Sequence, residues 1–179
     1  MRRCSSFIAA CLLSAVAATL PAHAEPGLNG QTGLIYMPDA RIDPDGTLRS
    51  GYSYAYPYAI IWTSLTALPR LEATLGYTAV RGVPGFTEGS ATSYGDFKDK
   101  EFSIKYVLLP EEGLWPSVAL GGQDIFGTEV FKATYAAFGK KVGDFDFTAG
   151  YGNDRIDGAF GGVRYSPQWL KGWSLVAEY

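Results

Sequence analysis

The feature that most constrains this chain is an alternation of apolar with small or polar side chains, which recurs throughout residues 47–179. In residues 71–77 and 145–151, Leu, Phe and Tyr occupy every second position, and Glu, Asp, Thr and Gly occupy the positions between them. A side-chain period of two is typical of a β-strand whose two faces differ. About nine such segments are separated by turn sequences, and most approach the length of a tilted membrane strand. The sequence therefore predicts an all-β chain.

Two folds fit this alternation. In an antiparallel up-and-down outer-membrane β-barrel, the apolar face meets lipid and the polar face lines a lumen. In a soluble antiparallel barrel or sandwich, the apolar face packs into a core. The 12 Tyr, 10 Phe and 4 Trp favour the membrane barrel, which carries aromatic residues outside and concentrates Tyr and Trp at its interfaces. An export signal favours it as well.

That signal is predicted at residues 1–24. Two arginines precede an apolar run over residues 7–20, and an A-x-A site at residues 22–24 predicts cleavage before Glu25. The alternative is a lipobox that ends at Cys11, although few apolar residues precede it. The expected location is the outer membrane of a Gram-negative cell.

The predicted mature chain has no cysteine and no histidine, because Cys4, Cys11 and His23 all lie in the signal. Disulfides, thiolate chemistry and histidine-based sites are therefore excluded. Removal of the signal leaves 13 basic and 18 acidic residues, a net charge of −5, which argues against nucleic acid as a partner. We expect no catalytic residues, no cofactor, no metal site and no enzymatic activity.

Three regions follow from the turn sequences: the signal peptide, an irregular periplasmic segment at residues 25–46, and partial-barrel strands at residues 47–179. Turns near residues 69, 110, 141 and 167 are expected on the periplasmic side. Connections near residues 57, 126 and 153, together with a long structureless loop at residues 80–100, are expected outside.

Nine strands is an odd number, whereas bacterial single-chain barrels use even numbers. The sequence also stops within a strand-like pattern at Tyr179. We therefore expect a truncated member of a longer protein. The alternative is that Tyr179 is a true terminus, because aromatic-ended alternation is also a carboxyl-terminal signal of outer-membrane proteins.

A family resemblance rests on a set of turn and strand-start motifs, at residues 30–40, 45–49, 68–72, 105–111, 115–121, 123–128 and 144–150. With these motifs the chain resembles the YjbH/GfcD-like exopolysaccharide family. The resemblance implies an outer-membrane β-barrel associated with exopolysaccharide synthesis or secretion. Members are usually several times longer than this chain, and some are lipoproteins. The family supplies no established catalytic residues.

Candidate lumen-lining residues are the polar side chains on the inward parity and at the rim. They are expected either to contact a glycan or to pair with one another inside a narrow barrel. At the rim, the better interpretation of Asp124 is a turn residue that accepts backbone N–H groups, with Gly127 beside it. The candidates are Glu72, Lys105, Gln123, Asp124, Asp146, Arg164 and Glu178.

The predicted function is a non-enzymatic outer-membrane β-barrel that assists exopolysaccharide production or export. The alternative is a general small porin or structural barrel without a glycan role. The expected partners are outer-membrane lipid and, for the first function, exopolysaccharide and its export machinery.

Overall fold

The computed structural model describes residues 24–179. Except for Ala24, the predicted signal peptide lies outside the described residues. Nine strands follow one another, and each pairs antiparallel with the next. They are β1 Leu48–Ala55, β2 Tyr58–Leu68, β3 Leu71–Phe86, β4 Ser93–Leu109, β5 Ser117–Gly127, β6 Ala133–Val142, β7 Phe145–Asp154, β8 Gly158–Tyr165 and β9 Leu175–Glu178.

The sheet curls into an open half-barrel, which we call the trough. In the described part of the chain, β1 pairs only with β2 and β9 only with β8, so the two edge strands do not close on each other. The predicted all-β, antiparallel up-and-down architecture is confirmed. Residues 24–179 include no helix long and apolar enough to cross a membrane.

The two faces of the trough differ as the alternation predicts. Leu75, Phe147 and Leu175 lie on the convex face and are 60%, 48% and 52% exposed. Thr74, the neighbour of Leu75, points into the trough and is 3% exposed. The exposed apolar side chains therefore lie on the convex face, and the buried polar side chains lie on the concave face.

The prediction of a long structureless loop at residues 80–100 is wrong. Strands β3 and β4 continue through most of it as a hairpin, and only residues 87–92 connect them. The register shifts twice in this hairpin, on either side of Pro84. Such irregularities admit a proline and glycines with positive φ, such as Gly82 and Gly95. A Gly- and Ser-rich composition is therefore compatible with bulged strands.

Residues 25–46, which we call the N-terminal segment, lie against the concave face of the trough. The segment forms isolated bridges between Pro26 and Thr32 and between Gly33 and Pro38 rather than a regular strand. A small apolar cluster contains Ala40 of the segment and residues of β4, β5, β6 and β8. Much of that cluster is alanine, including Ala119, Ala133 and Ala137, so the strands leave room for the segment.

Candidate functional site: the polar trough and the N-terminal segment

A buried polar cluster anchors the N-terminal segment near the middle of the trough. Glu72 of β3 and Lys105 of β4 are register partners on neighbouring strands. The Glu72 carboxylate accepts the backbone N–H of Thr32 at 2.8 Å and its hydroxyl at 2.6 Å. The Lys105 ammonium donates to the carbonyl of Thr32 at 2.7 Å and lies 3.3 Å from the Asp39 carboxylate. The charges of the two strands thus bind one short piece of the segment.

Because this cluster is buried, its charged side chains need partners within the protein. The side chain of Lys105 is 0% exposed and that of Asp39 is 2% exposed. A buried charge without partners costs several kcal/mol, by rough estimate, because it loses its hydration. The segment therefore satisfies these charges and is part of the folded trough.

A second anchor lies at the end of the trough that carries the β2–β3, β4–β5, β6–β7 and β8–β9 turns, which we call the short-turn end. There Arg41 of the segment bridges two carboxylates. The guanidinium donates to both oxygens of Asp146 in β7, at 3.0 and 2.8 Å. It also lies 2.5 Å from Glu111 in the β4–β5 turn, whose carboxylate binds Lys140 at 2.9 Å. This network ties the segment to β6, β7 and a turn.

The network shifts two pKa values. Partial burial disfavours the charged form of Glu111, but hydrogen bonds from Lys140 and Arg41 outweigh it and lower the pKa of Glu111. Burial also acts to lower the pKa of Arg41, yet its bonds to Asp146 and Glu111 raise it. Both groups are therefore held in their charged forms.

A third anchor involves the edge strand β9. The Glu178 carboxylate accepts the successive backbone N–H groups of Ile35, Tyr36 and Met37 at 2.9, 2.8 and 3.2 Å. Consecutive N–H groups that point to one side form a concave anion-binding nest. Here the anion is a side chain of the protein, and it fixes a loop of the segment against the last strand.

The segment reaches each of the nine strands. Arg164 of β8 donates to the Gly33 carbonyl, and Gln31 accepts from Tyr135 of β6 at 2.8 Å and from Gln123 of β5 at 3.3 Å. Asp43 pairs with Arg49 of β1. A Cβ at Gly30 would clash with the Trp62 ring of β2, so glycine is required where the two pack. The segment therefore fills the trough.

The sequence of the chain matches a known protein family. A sequence model described as "Exopolysaccharide biosynthesis protein YbjH" matches residues 27–159. The chain belongs to the YjbH family. The match includes nearly all of the N-terminal segment together with β1 to β7.

One YjbH relative comes from Escherichia coli (strain K12) and is described as an "Uncharacterized lipoprotein YjbH". It is 38% identical over 137 residues, which is 75% of this chain. The chain spans about a fifth of that relative's length, 20%. No solved structure matches the chain.

Six of the seven predicted lumen residues contact the N-terminal segment in this YjbH chain: Glu72, Lys105, Gln123, Asp146, Arg164 and Glu178. Among residues 24–179, no ion pair joins two of these six to each other. Their charges are instead balanced by Glu25, Asp39 and Arg41 and by backbone groups of the segment. The sequence gives no sign of this partner, because nothing in residues 25–46 shows where an irregular segment docks.

Asp124 has a different role. Its carboxylate accepts the backbone N–H of Phe131 at 2.8 Å across the β5–β6 connection. Gly127 has a φ of +135°, and a Cβ there would clash with the Lys100 carbonyl oxygen. The turn interpretation of Asp124 is therefore confirmed. Contact of any of the seven residues with a glycan stays a prediction.

Proposed function

We propose that this YjbH-family chain forms part of an outer-membrane β-barrel that assists exopolysaccharide production or export without catalysing a reaction. The observation that carries the proposal is the contrast between an exposed apolar convex face and a buried polar concave face in a sheet of up-and-down strands. A soluble sandwich would cover its apolar face with a second layer, since large exposed apolar surfaces are costly in water. Lipid would cover the convex face of this trough instead.

The positions of the exposed aromatic side chains support the same environment. Tyr54, Tyr56 and Phe126 are exposed at the end of the trough that carries the β1–β2 and β5–β6 connections. Trp115 and Trp169 are exposed at the opposite end, in the turns before β5 and β9. Aromatic residues at both ends of an apolar band are typical of a barrel at its two membrane–water interfaces.

The filled trough bears on how such a barrel would act. The side chains that would line a passage through these nine strands are bonded to the N-terminal segment. A general porin needs an open aqueous lumen, so the filled trough favours the exopolysaccharide role over the porin role. We propose that this part of the barrel guides or holds glycan at its surface, and that partners are outer-membrane lipid and the exopolysaccharide machinery.

Two measurements test the proposal. A membrane barrel should fractionate with outer membranes and migrate differently on gels with and without boiling, whereas a soluble sandwich should do neither. Deletion of the gene should lower secreted polysaccharide and leave permeability to small solutes unchanged. Unchanged polysaccharide in the deletion strain would contradict the exopolysaccharide role.

A further inference from the structure

We propose that a patch of basic side chains on the convex face binds the phosphate groups of a phosphorylated glycolipid in the outer leaflet of the membrane. The patch consists of Arg81 of β3 and of Lys98 and Lys100 of β4, and we call it the basic patch. It lies at the end of the trough opposite the short-turn end. The inference rests on the proposed function, because only a convex face that meets lipid brings these cations to a membrane.

The side-chain alternation places the three cations outside the trough. Lys98 and Lys100 are exposed and flank Asp99, which points into the trough and is 0% exposed. Arg81 lies an even number of residues after the exposed Leu75 on β3, and its side chain is 52% exposed. The outward positions of both strands therefore change from apolar to basic as the strands approach this end of the trough.

The register places the basic patch beside exposed tyrosines. Two rows of outward register partners cross strands β1 to β4 at this level, and each row ends in a lysine. From β1 to β4, the two rows are Tyr52, Ile61, Tyr77 and Lys100, and Tyr54, Ala59, Ala79 and Lys98. Tyrosine rings are typical of the membrane–water interface, where lipid headgroups lie. The cations therefore lie at the depth at which a lipid phosphate would meet them.

The basic patch carries more positive charge than its neighbours neutralise. Arg81 donates to the Asp96 carboxylate at 2.8 Å, and the Gly82 N–H donates to its other oxygen at 3.1 Å. Asp96 also acts electrostatically on Lys98, but neither lysine forms an ion pair within residues 24–179. Three cations and one carboxylate leave a net charge of +2, which is complementary to a phosphate group.

The donors of the basic patch suit a phosphate. Arg81 keeps N–H groups that its bond to the carboxylate does not use, and it interacts electrostatically with Tyr52 and Tyr54 across the face. The Lys98 ammonium lies 5.8 Å from the ring centroid of Tyr94, a contact that restricts its movement. A guanidinium can bind two phosphate oxygens at once, and lysines add compact positive charges beside it.

The position of the basic patch favours a lipid over a soluble anionic glycan. Leu75 and Phe102 are register partners that continue the same outward positions toward the short-turn end, where acyl chains would lie. A molecule that joins a phosphate to acyl chains contacts both surfaces, whereas a soluble polysaccharide contacts only the cations. A phosphomonoester carries about −1.5 to −2 charges at pH 7, so a phosphorylated glycolipid is favoured over a zwitterionic phospholipid.

Native mass spectrometry of the full chain in uncharged detergent tests the site, because the bound fraction at each lipid concentration gives the affinity. The probe is lipid A with two phosphate groups. The comparison probes are fully dephosphorylated lipid A, inorganic phosphate and hexagalacturonate. Diphosphorylated lipid A is expected to bind at least about tenfold more tightly than each of the other three, and salt should weaken its binding.

Lys98→Gln and Lys100→Gln should each weaken the binding of diphosphorylated lipid A about fivefold, because each removes one cation that attracts the anionic lipid. Lys171→Gln is the matched control, since it removes an exposed cation from the β8–β9 turn at the short-turn end. It should leave binding unchanged. In vesicles without lipid A, both patch variants should unfold in urea as the wild type does, which separates lost binding from lost folding.

Three results would each overturn the inference. They are equal binding of diphosphorylated and dephosphorylated lipid A, equal binding by both patch variants and wild type, and tighter binding of hexagalacturonate than of lipid A. The last result would indicate an anionic polysaccharide as the ligand.

The outcomes also separate this inference from the proposed function. A chain that fractionates with outer membranes and migrates differently after boiling, but does not bind lipid A, would remove only the basic patch as a site. Binding of lipid A together with normal polysaccharide secretion in the deletion strain would remove only the exopolysaccharide role.

Discussion

The convex and concave faces of the trough are made by the same strands and obey opposite rules. On the convex face, side chains such as Leu75 and Phe147 are half exposed and make no polar contact that fixes their position. On the concave face, Lys105 and Glu72 are almost completely buried and each has partners at hydrogen-bond distance. One residue step along a strand changes the environment from an apolar exterior to a dense polar interior.

The difference shows that each concave position is constrained by particular bonding partners, whereas each convex position is constrained only by the medium outside the sheet. A buried charge tolerates little change, because removing one partner leaves another uncompensated. An exposed apolar residue tolerates many replacements in water but few charged ones in lipid. Substitutions at adjacent positions of one strand can therefore test both rules.

The largest effect is expected on the concave face. Lys105→Met should lower the free energy of unfolding by about 3–5 kcal/mol, because Asp39 and the Thr32 carbonyl lose a buried cation. Urea unfolding of the protein in lipid vesicles measures this. Lys98→Met, an exposed position on the same strand, is the control and should change it by less than about 0.5 kcal/mol. Similar values for the two variants would mean that the cluster does not hold the segment.

The convex face should give the next largest effect. Leu75→Arg should lower the free energy of unfolding in a bilayer by about 2–4 kcal/mol, because it places a charge among acyl chains. Leu114→Arg, in the exposed β4–β5 turn, should have almost no effect. If the two arginines are tolerated equally, the convex face does not contact lipid.

A smaller effect is expected from Arg41→Gln at the short-turn end. The substitution removes the two bonds to Asp146 and the contact with Glu111. Because Arg41 and both carboxylates are partly exposed, the free energy of unfolding should fall by only about 1 kcal/mol. Lys171→Gln removes an exposed charge from the β8–β9 turn and serves as the control. Equal midpoints for both variants in urea would contradict a role for Arg41 in anchoring the segment.

The smallest effect is a pH dependence through Glu111. Folding lowers the pKa of Glu111 below its usual value of 4.5. The stability that the ionised carboxylate contributes is therefore fully present at any pH above about 4.5. This stability is lost as the pH falls through the lowered pKa. The difference in unfolding free energy between wild type and Glu111→Gln should therefore shrink as the pH drops below about 4.5. Glu112→Gln should show no such trend, and a difference that is constant with pH would count against the network.

Much of the fold was predictable because the alternation is a local signal. The order of the strands, their antiparallel pairing and the outward direction of Leu75 and Phe147 follow from period two and short turns. The extended β3–β4 hairpin was not predictable, because Gly82, Pro84 and Gly95 are typical of loops as well as of bulges. Only pairing with the facing strand distinguishes the two cases.

The candidate site was half predictable. Parity places Glu72, Lys105 and Asp146 on the concave face, but it carries no information about partners far away in sequence. The bonds of Glu178 to residues 35–37 join positions more than 140 apart, 143 for Ile35.

The reach of the N-terminal segment across all nine strands has a consequence for assembly. The segment is synthesised before all nine strands, yet its bonds to Arg164 and Glu178 form only after β8 and β9 exist. Contacts between such distant positions form slowly. The head of the polypeptide would thus settle late, after the strands on which it rests have been made.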